Sequence, residues 1–208
     1  MKYDGIIFDL DGTLWDSTET VAASWSASMK AMGERHAFTA ADIAGIMGCT
    51  DKEIEEKLFS GFGPRAHRLC STCMSEEPSY VAVHGGRMYE GVEEMLKALS
   101  AHTPLFIVSN CQSGYVEAFL EYSGFGPYFA DYEYQGRCGL SKLENIRLIM
   151  ERNELKHCVY VGDTAHDEKS AHGAGCDFVH AAYGFGTAAA AEAYAENPAC
   201  LPELLNSL

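Results

Sequence analysis

Gly5-Ile6-Ile7-Phe8-Asp9-Leu10-Asp11-Gly12-Thr13 is the stretch on which the fold turns. Its first half is apolar, rich in β-branched residues and without polar alternation, as in a strand buried on both faces. Its second half changes character abruptly, to two aspartates and a Gly-Thr turn, which marks the carboxyl end of that strand.

Two later stretches repeat the design. Pro104-Leu105-Phe106-Ile107-Val108 runs into Ser109-Asn110, and Cys158-Val159-Tyr160-Val161 runs into Gly162-Asp163. Cys176-Asp177-Phe178-Val179-His180 is a fourth, weaker candidate. Between the strands lie segments of helical spacing, with one apolar stripe at Val92, Met95, Leu96 and Leu99 and another at Leu143, Ile146, Leu148 and Ile149. Buried strands alternating with amphipathic helices predict an α/β fold, a Rossmann-like parallel sheet with helices on both faces in three layers. Ligands in such sheets bind beyond the carboxyl ends of the strands, where the polar residues named above collect.

Residues 17–84 break the alternation. Thr20 to Met32 and Asp51 to Phe59 read as helices, the latter capped by Thr50 or Asp51 with Glu53 following. The expected organisation is a core of residues 1–16 and 85–208 with a small helical domain, 17–84, inserted after the first strand. Turn-like linkers are expected near Leu14 to Ser17 and near Val83 to Arg87, where Gly85-Gly86 stands. The alanine-rich stretch Thr187 to Ala195 predicts a terminal helix.

Composition narrows the function. With 47% hydrophobic and 22% charged residues, the chain is of ordinary globular type. No apolar run nears the ~20 residues of a membrane-spanning helix, and the N-terminus lacks a signal-peptide pattern, so a cytoplasmic protein is expected. A net charge of −15 argues against nucleic-acid and anionic-membrane partners, since either needs a basic face. Any phosphate site must then be made locally positive by a metal, a lysine and backbone amides. Of the eight cysteines, only Cys70 and Cys73 form a CxxC, with His67 nearby. No second pair completes a zinc site, so reduced, structural thiols are expected. The sequence carries no signal for an oligomeric state.

The strand ends supply the chemistry. Asp9 and Asp11, two apart, start on one side of a strand, and Asp163 ends another. Together they offer the oxygen-rich environment Mg²⁺ prefers. Gly12-Thr13 exposes amides in a tight turn, and Ser109-Asn110 offers a hydroxyl, an amide and helix N-terminal amides, all suited to phosphate. Lys142 precedes a helical stripe, within reach of the site's mouth. Taken alone each residue has an ordinary role as a cap or a solvated side chain; their common place at strand ends favours the site.

These residues resemble the haloacid dehalogenase superfamily. Asp9-Leu10-Asp11-Gly12-Thr13-Leu14 is similar to its first motif, Ser109-Asn110 to the second, Lys142 to the third, and Gly162-Asp163-Thr164-Ala165-His166-Asp167 to the fourth. They occur in the family's order over nearly the whole chain, and residues 17–84 look like its small helical cap. One departure is Leu143, where proline usually follows the lysine.

The resemblance implies a Mg²⁺-dependent phosphatase of a small-molecule phosphate ester, phosphoglycolate phosphatase-like. Asp9 would be nucleophile and metal ligand. Asp11 would be the general acid and base, touching the metal through its backbone carbonyl. Asp163 would be the third ligand, with Asp167 in support. Thr13, Ser109, Asn110 and Lys142 would hold the phosphoryl group. His166 is expected in a supporting or surface role. In the cap, Ile46-Met47-Gly48-Cys49-Thr50 corresponds to a specificity loop, and Arg65, Arg68 or Arg87 is a candidate for a second anionic group on the substrate. A sugar phosphomutase and a non-catalytic binding module are the alternatives. A dehalogenase is disfavoured because Asp11 is present.

Overall fold

In the computed structural model, which describes residues 2–208, the opening apolar run forms β1 (Gly5–Phe8), buried throughout. A two-residue strand, β2 (Trp15–Asp16), leads into a helical stretch: α1 (Thr18–Ala31), α2 (Ala40–Ala44), α3 (Asp51–Ile54) and α4 (Ala66–His84). Thr50 caps α3 reciprocally with Glu53, as its spacing predicts, but the helix widens into a π-type turn over Glu55–Phe59. The chain returns through β3 (Arg87–Met88), antiparallel to β2 with Trp15 opposite Met88. The stretches read as turn-like linkers therefore form a short ribbon.

The remainder alternates: α5 (Val92–Ser100), β4 (Leu105–Ser109), α6 (Tyr115–Ser123), β5 (Phe129–Tyr134), α7 (Gln135–Cys138), α8 (Lys142–Arg152), β6 (Cys158–Gly162), α9 (Ala165–Ala174), β7 (Asp177–Ala181), β8 (Ala193–Ala195) and α10 (Leu201–Ser207). The sheet order is β5-β4-β1-β6-β7-β8 and every ladder is parallel. From β1 the chain builds outward through β4 and β5, then crosses back to build the other half from β6. The topological switch point thus falls beside β1, and the crevice at its carboxyl end is where such sheets bind ligands.

Alternate residues feed the two faces. Ile7, Phe106, Val108, Tyr160 and Phe178 pack with Ile146 and Ile149 of α8 and Ala171 of α9. Ile6, Phe8, Ile107, Val159 and Val161 pack on the other face with α5, α6 and α10 through Met95, Leu96, Val116, Phe119, Leu201 and Leu205. Each such side chain, when fully buried, stabilises the fold by about 1.5–3 kcal/mol. The three-layer α/β expectation therefore holds.

Three local readings need correction. Thr187 to Ala195 is not a helix: the backbone amides of Ala189 and Ala190 donate to the Glu168 carboxylate, and β8 pairs with β7. Tertiary partners override the helix propensity of alanine here. β5 escapes the sequence because Phe129-Ala-Asp-Tyr-Glu-Tyr134 is a half-exposed edge strand, not an apolar run. In α8 the buried face is Lys142, Asn145, Ile146 and Ile149, whereas Leu143 and Leu148 are only half-buried. The face has rotated to bring a lysine inward.

Candidate active site

The site begins where β1 stops. Asp9 follows the last strand residue and is 4% exposed. Gly12 then takes φ of +81° in the turn, and a Cβ there would lie 2.3 Å from Asp163 Oδ2. Only glycine lets this turn approach the neighbouring strand's acid so closely. Asp163 follows the last residue of β6, and its Oδ2 accepts from the Phe185 amide at 2.7 Å and the Gly186 amide at 3.3 Å. His180 Nε2 lies 3.0 Å from the Asp163 carbonyl. The Phe185–Gly186 loop therefore holds the carboxylate, and His180 of β7 lies against the same residue's backbone.

Asp167 opens α9 in a reciprocal cap with Thr164, using Oδ2. Its Oδ1 accepts from Lys142 Nζ at 2.5 Å, and the same ammonium reaches Asp9 Oδ1 at 2.9 Å. Lys142 occupies the first turn of α8, positioned by the Ser141–Glu144 capping box, and is 1% exposed. The leucine that follows it does not displace it.

Carboxylate oxygens of Asp9, Asp163 and Asp167 all lie within 4.8 Å of one another. Burial drives the Asp9 carboxyl well above its ordinary range, against the pull of Lys142, with Asp167 and Asp163 adding to the rise. Burial and then Asp167 push Asp163 up to about 7. Burial also opposes the charge on Asp167, but Lys142 and Thr164 hold it below the usual value. Three buried acids against one lysine leave negative charge uncompensated, which a divalent cation would neutralise. Asp163 Oδ1 is buried without a hydrogen-bond partner among the described residues, so its lone pairs remain free for a ligand. The donor set therefore fits a divalent metal ion.

Asp11 stands apart from that cluster. Its Oδ1 accepts from Ser17 Oγ at 2.6 Å and Tyr115 Oη at 2.9 Å. Burial raises its carboxyl to about 6, while Ser17 and Tyr115 restrain the rise. It lines the same cavity as Asp9, Ser109, Asn110 and Lys142. Thr13 Oγ1 is buried and unpartnered among the described residues, while Tyr183 Oη donates to the Thr13 carbonyl at 2.9 Å.

The cavity, about 60 Å³, is roofed by the helical stretch. Ile46, Met47, Gly48 and Cys49 line it, and the Gly48 carbonyl accepts from Asn110 Nδ2 at 3.2 Å. None of the three candidate arginines reaches it. Arg65 pairs with Glu34, Arg87 with Asp16, and Arg68 is exposed outside the cavity. His166 is exposed and does not line the cavity. All eight cysteines are free; burial lifts the Cys70 and Cys73 thiols to about 12, keeping them protonated.

Sequence reasoning misses four residues. Tyr115 and Ser17 act through side chains far apart in the chain, and Trp25 and Glu77 belong to the roof. Glu77 left one signal: it interrupts a helical face of Cys70, Cys73, Met74 and Val81.

Comparison with known proteins agrees with this fold. Residues 6–181 match the family model described as haloacid dehalogenase-like hydrolase. A phosphoglycolate phosphatase from Photobacterium profundum is 29% identical, covering 86% of this chain and 83% of that protein. A 5'-nucleotidase from Pseudomonas aeruginosa is 26% identical over 90% of this chain and 86% of its own length. Among solved structures, a haloacid dehalogenase-like hydrolase from Streptococcus pneumoniae superposes with a TM-score of 0.84 at 20% identity, covering 99% of each chain. No helix among the described residues is long and apolar enough to cross a membrane.

Proposed function

This chain belongs to the haloacid dehalogenase-like hydrolases, and from that membership we propose that it is a Mg²⁺-dependent phosphatase of small-molecule phosphate monoesters, phosphoglycolate phosphatase-like in its catalytic core. The observation that carries this reading is the knot of Asp9, Asp163 and Asp167 around Lys142 at the switch point, with one Asp163 oxygen unpartnered among the described residues. Residues 17–84 act as the cap over it.

Asp9 and Asp163, with the Asp11 backbone carbonyl, would hold the metal; Asp167 supports by orienting Lys142. The bound cation supplies charge neutralisation between an anionic nucleophile and an anionic phosphoryl group. Lys142, Thr13, Ser109 and Asn110 hold the phosphoryl oxygens. An Asp9 carboxylate oxygen attacks phosphorus, forming an aspartyl phosphate as the ester P–O bond breaks. Asp11, whose raised acidity range leaves a protonated fraction near neutrality, gives its proton to the departing alkoxide. Its carboxylate then takes a proton from water, which attacks phosphorus and returns Asp9 and inorganic phosphate.

The test is phosphate release from a panel of esters with and without Mg²⁺, for the parent protein and Asp9→Asn. Mg²⁺-dependent release that is abolished in the variant is the expected result. A variant as active as the parent removes Asp9 from the nucleophile's role.

A further inference from the structure

Glu77 is a buried acid that the phosphatase chemistry leaves unused. It lies on the apolar face of α4, 5% exposed, and lines the cavity that contains Asp9. Its Oε2 accepts from Trp25 Nε1. Burial pushes its carboxyl up to about 8, against the pull of the Gln112 and Trp25 side chains. Gln112 also lines the cavity, and its buried Nε2 has no regular hydrogen bond among the described residues.

Among the described residues no cation pairs with Glu77. Of the fifteen lysines and arginines, Lys142 alone lines the cavity among the described residues, and its ammonium is held between Asp9 and Asp167. A larger cleft, about 790 Å³, adjoins this cavity, with Met74 and Gln112 in both walls. Asp51, Glu55 and Glu56 line that cleft, against Lys52 and His67. Acidic residues therefore outnumber cationic ones in both the cleft and the cavity wall.

This lining decides which alcohol the site can accept. A carboxylate or second phosphate on the leaving group would be taken out of water there with no free cation to balance its charge, which burial makes costly. An ammonium there would favour the ionised form of Glu77, donate a charge-assisted hydrogen bond to it and lie against the Trp25 ring. We infer that the substrate is the phosphate monoester of a cationic alcohol, an aminoalkyl phosphate, whose ammonium is received by Glu77 and Trp25. The inference rests on the phosphatase reading of the same site and takes its selectivity away from esters of hydroxy acids such as phosphoglycolate.

The experiment measures binding of O-phosphoethanolamine and phosphoglycolate, in Mg²⁺, to Asp9→Asn protein and to Asp9→Asn with Glu77→Gln. It is run beside turnover of both esters by the parent. Glutamine keeps the shape and can still accept from Trp25, so folding is preserved and only the capacity to ionise beside a bound ammonium is lost. Phosphoethanolamine should bind at least about tenfold tighter, the effect of one charge-assisted hydrogen bond, and Glu77→Gln should erase that preference. Equal or tighter binding of phosphoglycolate overturns the inference, as does a preference that survives Glu77→Gln. Failure of the phosphatase reading looks different: the esters bind with the expected preference, yet the parent hydrolyses neither.

Discussion

Replacing Lys142 by Met tests whether the site is a charge-balanced knot or a set of independent residues. Lys142 is 1% exposed and bonds Asp9 and Asp167, which are 4% and 0% exposed. Methionine fills much the same volume, so the packing around Ile146 and Ile149 should survive while two buried carboxylates lose their partner. Breaking a buried pair by removing one side typically destabilises by about 3–5 kcal/mol. In a chain of this size that lowers Tm by roughly 6–20 °C.

The pH dependence gives the sharper test. In the parent, Lys142 holds Asp167 below its ordinary value, so that interaction stabilises above the unfolded carboxylate range and is lost as pH falls through the folded value. Burial opposes the charge on Lys142, yet Asp167 and Asp9 hold it above its normal range, so its contribution is present at every pH below the unfolded lysine value. Without the ammonium, burial raises both acids, and the variant loses stability as pH climbs past the unfolded carboxylate range. The gap between parent and variant should therefore be small near pH ~4 and widen toward neutrality. Urea unfolding in metal-free buffer at three pH values measures it, and added Mg²⁺ should recover part of the loss. A gap below about 1 kcal/mol, or one independent of pH, would refute the reasoning.

Two further outcomes concern the acids. Because burial and Asp167 raise Asp163 to about 7, protons compete with metal at that carboxylate. Mg²⁺ affinity should climb as pH rises through that value, with proton release seen by calorimetry in buffers of different ionisation enthalpy; a flat affinity contradicts the assignment. Tyr115→Phe removes one hydrogen bond that restrains Asp11, raised to about 6, and should lift that carboxyl by about one unit. The alkaline limb of the turnover profile should move up with it. An unmoved limb would take the general-acid role away from Asp11.

The sequence by itself determined the parallel sheet and the place of the candidate site residues, because both depend on local pattern. A strand buried on two faces must be apolar along its length, and polar residues can only gather where it ends, so Asp9, Ser109, Asn110 and Asp163 announced the carboxyl edge. The helical stretch was equally legible from the absence of such runs between Ser17 and His84. What only the tertiary structure decided were features fixed by partners distant in the chain. β5 and β8 exist because neighbouring strands offer edges, not because their own residues demand extension. Lys142 turned inward because two buried carboxylates outweigh the hydrophobic pull on Leu143 and Leu148. Glu77, Trp25, Ser17 and Tyr115 meet the site only when the helical segment folds back over the sheet. An acid on an apolar helix face is visible in the sequence, but its lack of a facing cation is a property of the whole assembled cavity.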